Sequence, residues 1–354
     1  MTSYKKFKRV ILHAGLGKTG TSSIQNQLLG QAKVLESEHN IHFPCVFHGL
    51  HQPFDGNHSS LLSFMFIDHN GPPRSHSLAG FKTEKEAKEY SFKIRTNFEN
   101  GFSSSSASNL LMSAEGLGHF SKPRLILLSN WLQKFAEEIE VIVCIRHPMA
   151  ALSSEIQQRL TLGFVLEDLY EQPPRYRFKN LFDRLETAFP QSKFVVYDFA
   201  QATEYPAGLV GCFYEKIGLD PCLVSQQPKY SNESMSHEAA LLLSALNATE
   251  PLIEGGKRNK NRSPGDIQDF LKIPGKKYQA PRGVYEMLER EISDDLAWLL
   301  EHRGIDLGAV TVNHRSEYRS FSETSVRSIA LSLGKLSKYG ILPRVIEKII
   351  KKPS

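Results

Sequence analysis

The chain has 354 residues, 40% of them apolar and 23% charged, with a formal net charge of +5. That fits an ordinary soluble globular protein with room for one large α/β domain or two modest ones, and no apolar run approaches the roughly 18–20 residues of a membrane-spanning helix. The basic excess belongs to one end: residues 325–354 carry seven Lys or Arg against Glu347 alone, a local +6 that leaves the rest near −1, so nothing supports a nucleic-acid-binding body.

The N-terminal MTSYKKFKRVILHAG places four basic residues before a short apolar stretch. Val10–Leu12 is too short for the core of a secretion signal, so Val10–His13 is expected to be the first buried strand and the protein to be cytoplasmic. Cys45, Cys144, Cys212 and Cys222 have no metal-ligand spacing, which favours reduced thiols. After the first strand come a loop at 14–19 and a helix from about Thr21 to Leu29. The stretch 48–80, HGLHQPFDGNHSSLLSFMFIDHNGPPRSHS, reads as a long irregular insertion with one apolar patch at Leu61–Ile67. A helix is expected over Glu84–Asn97, a turn over GFSSSSASN (Gly101–Asn109), a strand over Asn109–Ser113 and a helix near Pro123–Ala136. VIVCIR (Val141–Arg146) is the strongest strand signal, and Pro148 opens a helix to about Leu160. FVVYDF (Phe194–Phe199) is a further strand, followed by helices over Ala207–Ile217, from Ser236 to beyond Asn247, and over Gly283–His302. A Lys/Gly/Pro-rich loop covers Gly255–Arg282.

Strands alternating with helices predict an α/β fold with a mostly parallel central sheet flanked by helices. Ligands of such sheets bind beyond the carboxyl ends of the strands. The residues expected there are Lys18, Glu115, Arg146 and Tyr197.

The loop HAGLGKTGTSS resembles an ATP-binding loop but is too short for one. Counting back from Gly17, Lys18 and Thr19, the first glycine of that motif falls at position 12, which is Leu12. The loop still offers Gly15, Gly17 and Gly20, one lysine, and the hydroxyls of Thr19, Thr21, Ser22 and Ser23. Amides at a helix start, hydroxyls and an ammonium suit a diphosphate-like anion. The second motif, CIRHPMAALSSEI, puts Arg146 at a strand end and Ser154 eight residues on, within the helix that Pro148 opens. The two can converge on one phosphate; a structural arginine–carboxylate pair is the alternative.

Together the motifs resemble those of the sulfotransferases that use 3′-phosphoadenosine 5′-phosphosulfate (PAPS). Lys18-Thr19-Gly20-Thr21-Ser22 is similar to that family's loop for the 5′-phosphosulfate, and Arg146, Pro148 and Ser154 to its element for the 3′-phosphate. SAEGL (Ser113–Leu117) resembles the segment carrying a catalytic glutamate in some branches, and FVVYDF the strand whose tyrosine lies near the adenine. The similarity covers about residues 8–30, 109–120 and 141–247. It implies a P-loop sulfotransferase fold, PAPS as donor with PAP as product, no metal, cofactor contacts from Gly17, Lys18, Thr19, Gly20, Thr21, Ser22, Arg146, Ser154 and Tyr197, and Lys18 and Glu115 as catalytic residues.

Each role has a plainer counterpart. Glu115 could cap a turn or pair with Lys18, and Tyr197 could be an ordinary strand aromatic. His58 and His119 are alternative bases, and Asn57 and His58 are candidate acceptor contacts because they sit in the 48–80 segment. That polar, His-rich segment suits a hydroxylated small molecule or a glycan. A P-loop nucleotide kinase and a non-catalytic PAP-binding protein are the competing functions. One domain is expected over 1–320 and a basic helical tail over 321–354. In the tail, Ile341, Leu342, Val345, Ile346, Ile349 and Ile350 form an apolar stripe opposed by basic residues. Two readings stand for it: docking on the domain, or peripheral contact with the inner membrane face.

Overall fold

The computed structural model describes residues 6–50, 53–66, 81, 83–224, 234–255, 257–260, 262, 266–312 and 329. The second half of the 48–80 segment and, apart from residue 329, the tail from 321 on lie outside them.

Packing divides the chain into two compact units: Met1–Arg146, Arg177–Tyr230 and Trp298–Leu307 form one, and His147–Tyr176, Ser231–Ala297 and Gly308–Ser354 the other. The first unit carries the sheet. Its strands are β1 (Phe7–His13), β2 (Ile41–His42), β3 (Asn109–Ser113), β4 (Ala136–Ile145) and β5 (Lys193–Asp198). They run in the order β2-β3-β1-β4-β5 with every pairing parallel. Parallel pairing requires a crossover between successive strands, and helices supply it. Those before β4 among the described residues are α1 (Thr21–Gly30), α2 (Ala32–Ser37), α3 (Ser59–Met65), α4 (Glu84–Ser104) and α5 (Lys122–Leu132). The fold is therefore α/β with an all-parallel five-stranded sheet flanked by helices.

The near-continuous apolar runs follow from this burial. Ile11, Leu111, Ile142 and Cys144 pack in one cluster with Ile24 and Leu28 of α1 and with Phe213. Their strand neighbours Val10, Leu12, Leu110, Met112, Val141 and Val143 project to the opposite face and are also fully buried. β4 begins five residues earlier than its apolar run because Glu140 is paired from both neighbouring strands, with Arg9 at 3.2 Å and Lys193 at 2.6 Å.

Three expectations change. Helix α4 runs through to Ser104, since Tyr90, Ile94, Phe98 and Phe102 keep a buried stripe at four-residue spacing beyond Asn97. Helix α5 ends at Leu132, because Ala136 already belongs to β4. Within the insertion, Ser59–Met65 is the helix α3, held at its end by Arg124, which donates to Phe66 O and to Ser63 O (3.1 Å).

The second unit is helical apart from a short antiparallel pair, Ile253–Glu254 with Lys257–Arg258, so the loop expected over Gly255–Arg282 holds a strand and the helix Asp266–Leu271. The unit contains α6 (Pro148–Thr161) and α7 (Leu166–Glu171). In the first unit α8 (Phe178–Ala188) then precedes β5, and α9 (Phe199–Glu204) and α10 (Gly208–Ile217) follow it. The second unit resumes with α11 (His237–Thr249), α12 (Asp266–Leu271) and most of α13 (Arg282–Arg303), whose last turn, from Trp298, counts with the first unit. Leu152, Ile156, Leu160, Leu243, Leu246, Leu288 and Ile292 form the second unit's core. As expected, α11 is capped by Ser236, whose hydroxyl accepts from Ala239 N–H. Among the described residues no helix is long and apolar enough to cross a membrane.

Asn247 ties this core together. Its amide donates to Leu160 O (2.8 Å) and Phe164 O (2.7 Å), and its oxygen accepts from Arg262 Nη1 (3.0 Å). Asn247→Ala strands buried carbonyls and a buried guanidinium donor, so it should destabilise the protein by about 2–4 kcal/mol in urea unfolding. A loss under about 0.5 kcal/mol, the range of an ordinary surface substitution, would show that these bonds do not hold the unit together.

Candidate functional site

Adjacent strands β1 and β4 send their chains to opposite edges of the sheet, towards β2 and β5. Their carboxyl ends are thus a switch point, where sheets of this kind hold ligands. The glycine loop lies there. Its first residues still pair with β4: Ala14 N–H donates to Ile142 O (2.9 Å), Cys144 N–H to Gly15 O (2.6 Å) and Leu16 N–H to Cys144 O (2.9 Å).

Beyond that point the backbone turns through three left-handed residues, Gly15 (φ 84°), Lys18 (φ 64°) and Gly20 (φ 70°). A Cβ on Gly15 would stand 2.6 Å from Glu115 Cα, and one on Gly20 2.1 Å from Leu209 Cδ2. Both positions need glycine for conformation and for space. Lys18 adopts the same region with a side chain, at a cost of about 1–3 kcal/mol that the surroundings must offset. Arg146, just past β4, donates from Nη1 to Lys18 O at 2.9 Å. Its guanidinium lies over the Phe199 ring, 4.8 Å from the centroid.

Gly20 also heads α1. It has no side chain to cap the helix, and the first turn holds no acidic residue. Such an N-terminus presents amide N–H groups and positive dipole to an anion. A Cβ on Gly17 would meet no atom within 4 Å, so the loop is open on that side. The hydroxyls divide. Ser22 is exposed, whereas Thr19 is fully buried and donates to Leu16 O at 2.5 Å. Thr19 can therefore offer an anion only its backbone, a correction to the expected hydroxyl run. Thr21 donates to Glu115 Oε2. The backbone and Lys18 fit a phosphate-type anion, and the Glu115 carboxylate stands beside that position as an acceptor.

Glu115 opens a 3-10 turn, Glu115–His119, directly after β3. Its second oxygen, Oε1, accepts from Asn57 Nδ2 at 3.3 Å. The turn is fixed from two sides: Gly116 N–H donates to Ser59 Oγ (2.8 Å), and Arg184 of α8 donates to Gly118 O (2.9 Å) and to Phe120 O. Each carboxylate oxygen keeps a further lone pair, so the group is positioned without being used up.

Among protein-family models and curated proteins, none matches this chain.

The structure brings Lys18, Thr21, Asn57, Glu115 and Arg146 to the carboxyl end of the sheet. Two expected residues, Tyr197 and His58, are core residues instead. Tyr197 is a core residue: it is buried in the cluster with Ile11, Ile142 and Cys144, opposite Cys144 on the neighbouring strand, and burial raises its phenol well above the usual value. The aromatic that reaches the loop is Phe199, two residues on, a position that period-2 alternation could have picked out. His58 is fully buried among Phe43, Phe54 and Phe98. Its Nε2 faces Pro44 O at 2.8 Å and its Nδ1 accepts from Ser113 N–H at 3.1 Å, so it is neither an acceptor contact nor a base. Ser154 belongs to the second unit, where its hydroxyl donates to Ala151 O at 2.8 Å. His119 is exposed at the end of the 3-10 turn.

Beneath the loop, Ser113 Oγ bonds His13 Nδ1 (2.8 Å) and Gln25 Nε2 (3.2 Å). Burial pushes the His13 imidazole down to about 3 and that of His58 to about 4, against 6.5 for the free side chain. Both are neutral in the folded protein and take up protons first in the unfolded chain. Their lowered values make stability fall as pH drops below about 6.5, by about 1.4 kcal/mol per pH unit for each histidine until its folded value is reached. Urea midpoints measured from pH 7 to pH 4.5 should therefore decline. His58→Gln should shallow that decline by about half; an unchanged slope would mean that His58 titrates alike folded and unfolded.

Proposed function

We propose that the protein is a sulfotransferase that moves a sulfuryl group from PAPS to a hydroxyl or amine acceptor. The observation that carries this reading is the seating of a carboxylate, Glu115, beside an anion loop headed by a left-handed glycine, with Lys18 in the loop. The short loop speaks against ATP, whose motif requires a glycine where Leu12 stands. The order and spacing of Lys18-Thr19-Gly20-Thr21-Ser22 and Arg146-x-Pro148 with Ser154 support a donor with both a 5′-phosphosulfate and a 3′-phosphate.

PAPS supplies the sulfuryl group: its sulfur–oxygen bond to the 5′-phosphate breaks as the bond to the acceptor oxygen or nitrogen forms. Within this reading, the α1 amides and the loop backbone bind the 5′-phosphate. Lys18 neutralises charge growing on the bridging oxygen as PAP leaves. Glu115 takes the acceptor proton, with Thr21 and Asn57 holding its carboxylate in place. Arg146 is assigned to the 3′-phosphate, and Ser154 is named for it by sequence spacing alone. The acceptor side is assigned to the polar insertion, whose Asn57 and Ser59 adjoin the Glu115 turn, and a carbohydrate-type acceptor suits it best. The proposed setting is the cytoplasm.

Transfer from PAPS to a panel of glycans and small hydroxylated acceptors tests the activity, with PAP, AMP and ATP binding measured alongside. PAP should bind more tightly than AMP, and ATP should show no preference over AMP. Lys18→Ala should lower transfer by roughly 100- to 1000-fold while PAP binding survives. A kinase reaction with ATP, or PAP binding without turnover on any acceptor, would replace the reading by one of its competitors. Glu115→Gln keeps shape and loses basicity, so kcat should fall steeply with PAP affinity nearly unchanged. An active Glu115→Gln together with an inactive His119 variant would move the base to His119.

A further inference from the structure

Arg146 holds a piece of the protein itself in this structure. Its Nη1 is engaged by the Lys18 carbonyl at 2.9 Å, at the one non-glycine left-handed residue of the loop. A carbonyl turned towards a cation is what a residue at φ 64° needs, because the left-handed backbone takes it out of any strand or helix ladder. The guanidinium is in turn held over an aromatic ring, its Cζ 4.8 Å from the centre of Phe199. The same ring approaches another of the loop's left-handed residues: a Cβ on Gly20 would stand 3.4 Å from Phe199 Cε2.

Phe199 has little freedom to move. It is the first residue of α9, and Asp198 fixes that start by accepting from Ala200 N–H (3.1 Å) and Gln201 N–H (3.3 Å). Leu209 of α10 approaches Gly20 too, 2.1 Å from such a Cβ. The residue that follows β4 and the start of α1 thus both adjoin the Phe199 ring.

We propose that Phe199 is a positioning residue for the anion loop. Through Arg146 it holds the Lys18 carbonyl, so that the Lys18 side chain and the α1 amides converge on one phosphate. This rests on the anion-binding reading of the loop and adds a role for Arg146 separate from any contact with a 3′-phosphate. A cation held on an aromatic face loses its seat when the ring becomes aliphatic, an effect worth roughly 3- to 30-fold in whatever depends on it.

The test compares PAP with AMP, which lacks only the 3′-phosphate, in Phe199→Leu, Arg146→Ala, the double variant and Phe199→Tyr. Phe199→Leu should weaken AMP and PAP by the same roughly 3- to 30-fold. Arg146→Ala should weaken AMP at least as much, the double variant should bind AMP no worse than Arg146→Ala alone, and Phe199→Tyr should bind like the parent. Hydrogen exchange of the ligand-free proteins supplies a second readout: amides of residues 16–20 should exchange faster in Phe199→Leu and Arg146→Ala, with those of β1 and β4 unchanged. Three results would overturn the proposal: Phe199→Leu leaving both affinities within two-fold, losses that multiply in the double variant, or loop exchange that does not change. If Arg146→Ala weakens PAP and spares AMP, Arg146 is a phosphate ligand alone. A parent protein that binds neither nucleotide removes the PAPS reading; the same variants against inorganic pyrophosphate then decide the loop brace, and failure of pyrophosphate to bind removes that too.

Discussion

A lysine with left-handed backbone must be held there, and the bond from Arg146 to the Lys18 carbonyl does the holding. Much of the site's geometry follows from it. The loop leaves the sheet beside β4, the strand that delivers Arg146, so brace and braced residue come from neighbouring strands. Gly15 and Gly20 allow turns on either side of Lys18 that a side chain would strain. Arginine suits this role because its fork can bond a carbonyl with one edge while its delocalised charge rests over Phe199.

Under this loop the sheet is polar where a parallel sheet is normally apolar. His13, Gln25 and His58 all converge on Ser113, the last residue of β3. The imidazoles are neutral, so the network costs no buried charge, and it joins the end of β1, the start of α1 and the insertion to the strand that carries Glu115. Such a network is rigid only while every member keeps its partner. It sets Glu115 at a fixed height relative to Gly15, whose missing Cβ is what lets the two backbones touch.

The Glu115 turn is seated by residues from three separate parts of the chain: Thr21 and Asn57 on the carboxylate itself, and Ser59, beside Asn57, and Arg184 on the backbone that follows. Hydrogen bonds to both carboxylate oxygens, from Thr21 and Asn57, fix the direction in which the group faces.

The sequence by itself determined the α/β class, the buried strands and the loop, because these are local. A strand buried on both faces must be apolar throughout, as in RVILH, NLLMS and EVIVCI, and a loop turning through left-handed residues must carry glycines at fixed places. It also marked Lys18, Glu115 and Arg146, which stand just past strand ends. Elements whose sign is not local were hidden. Helix α3 lies in a stretch whose His, Gly and Pro content reads as loop, and β2 is two residues long. The last turn of α4 hides in a serine run, sustained by Phe98 and Phe102 alone. Only the tertiary structure decided which polar residues belong to the core and which to the site. His58 and Tyr197 carry chemistry in their side chains but have packed walls around them, whereas Phe199, with no polar atom, shapes the loop. A side chain's composition says what it can do; which neighbours remove it from water, and which atoms they turn towards it, is settled by contacts between residues a hundred positions apart.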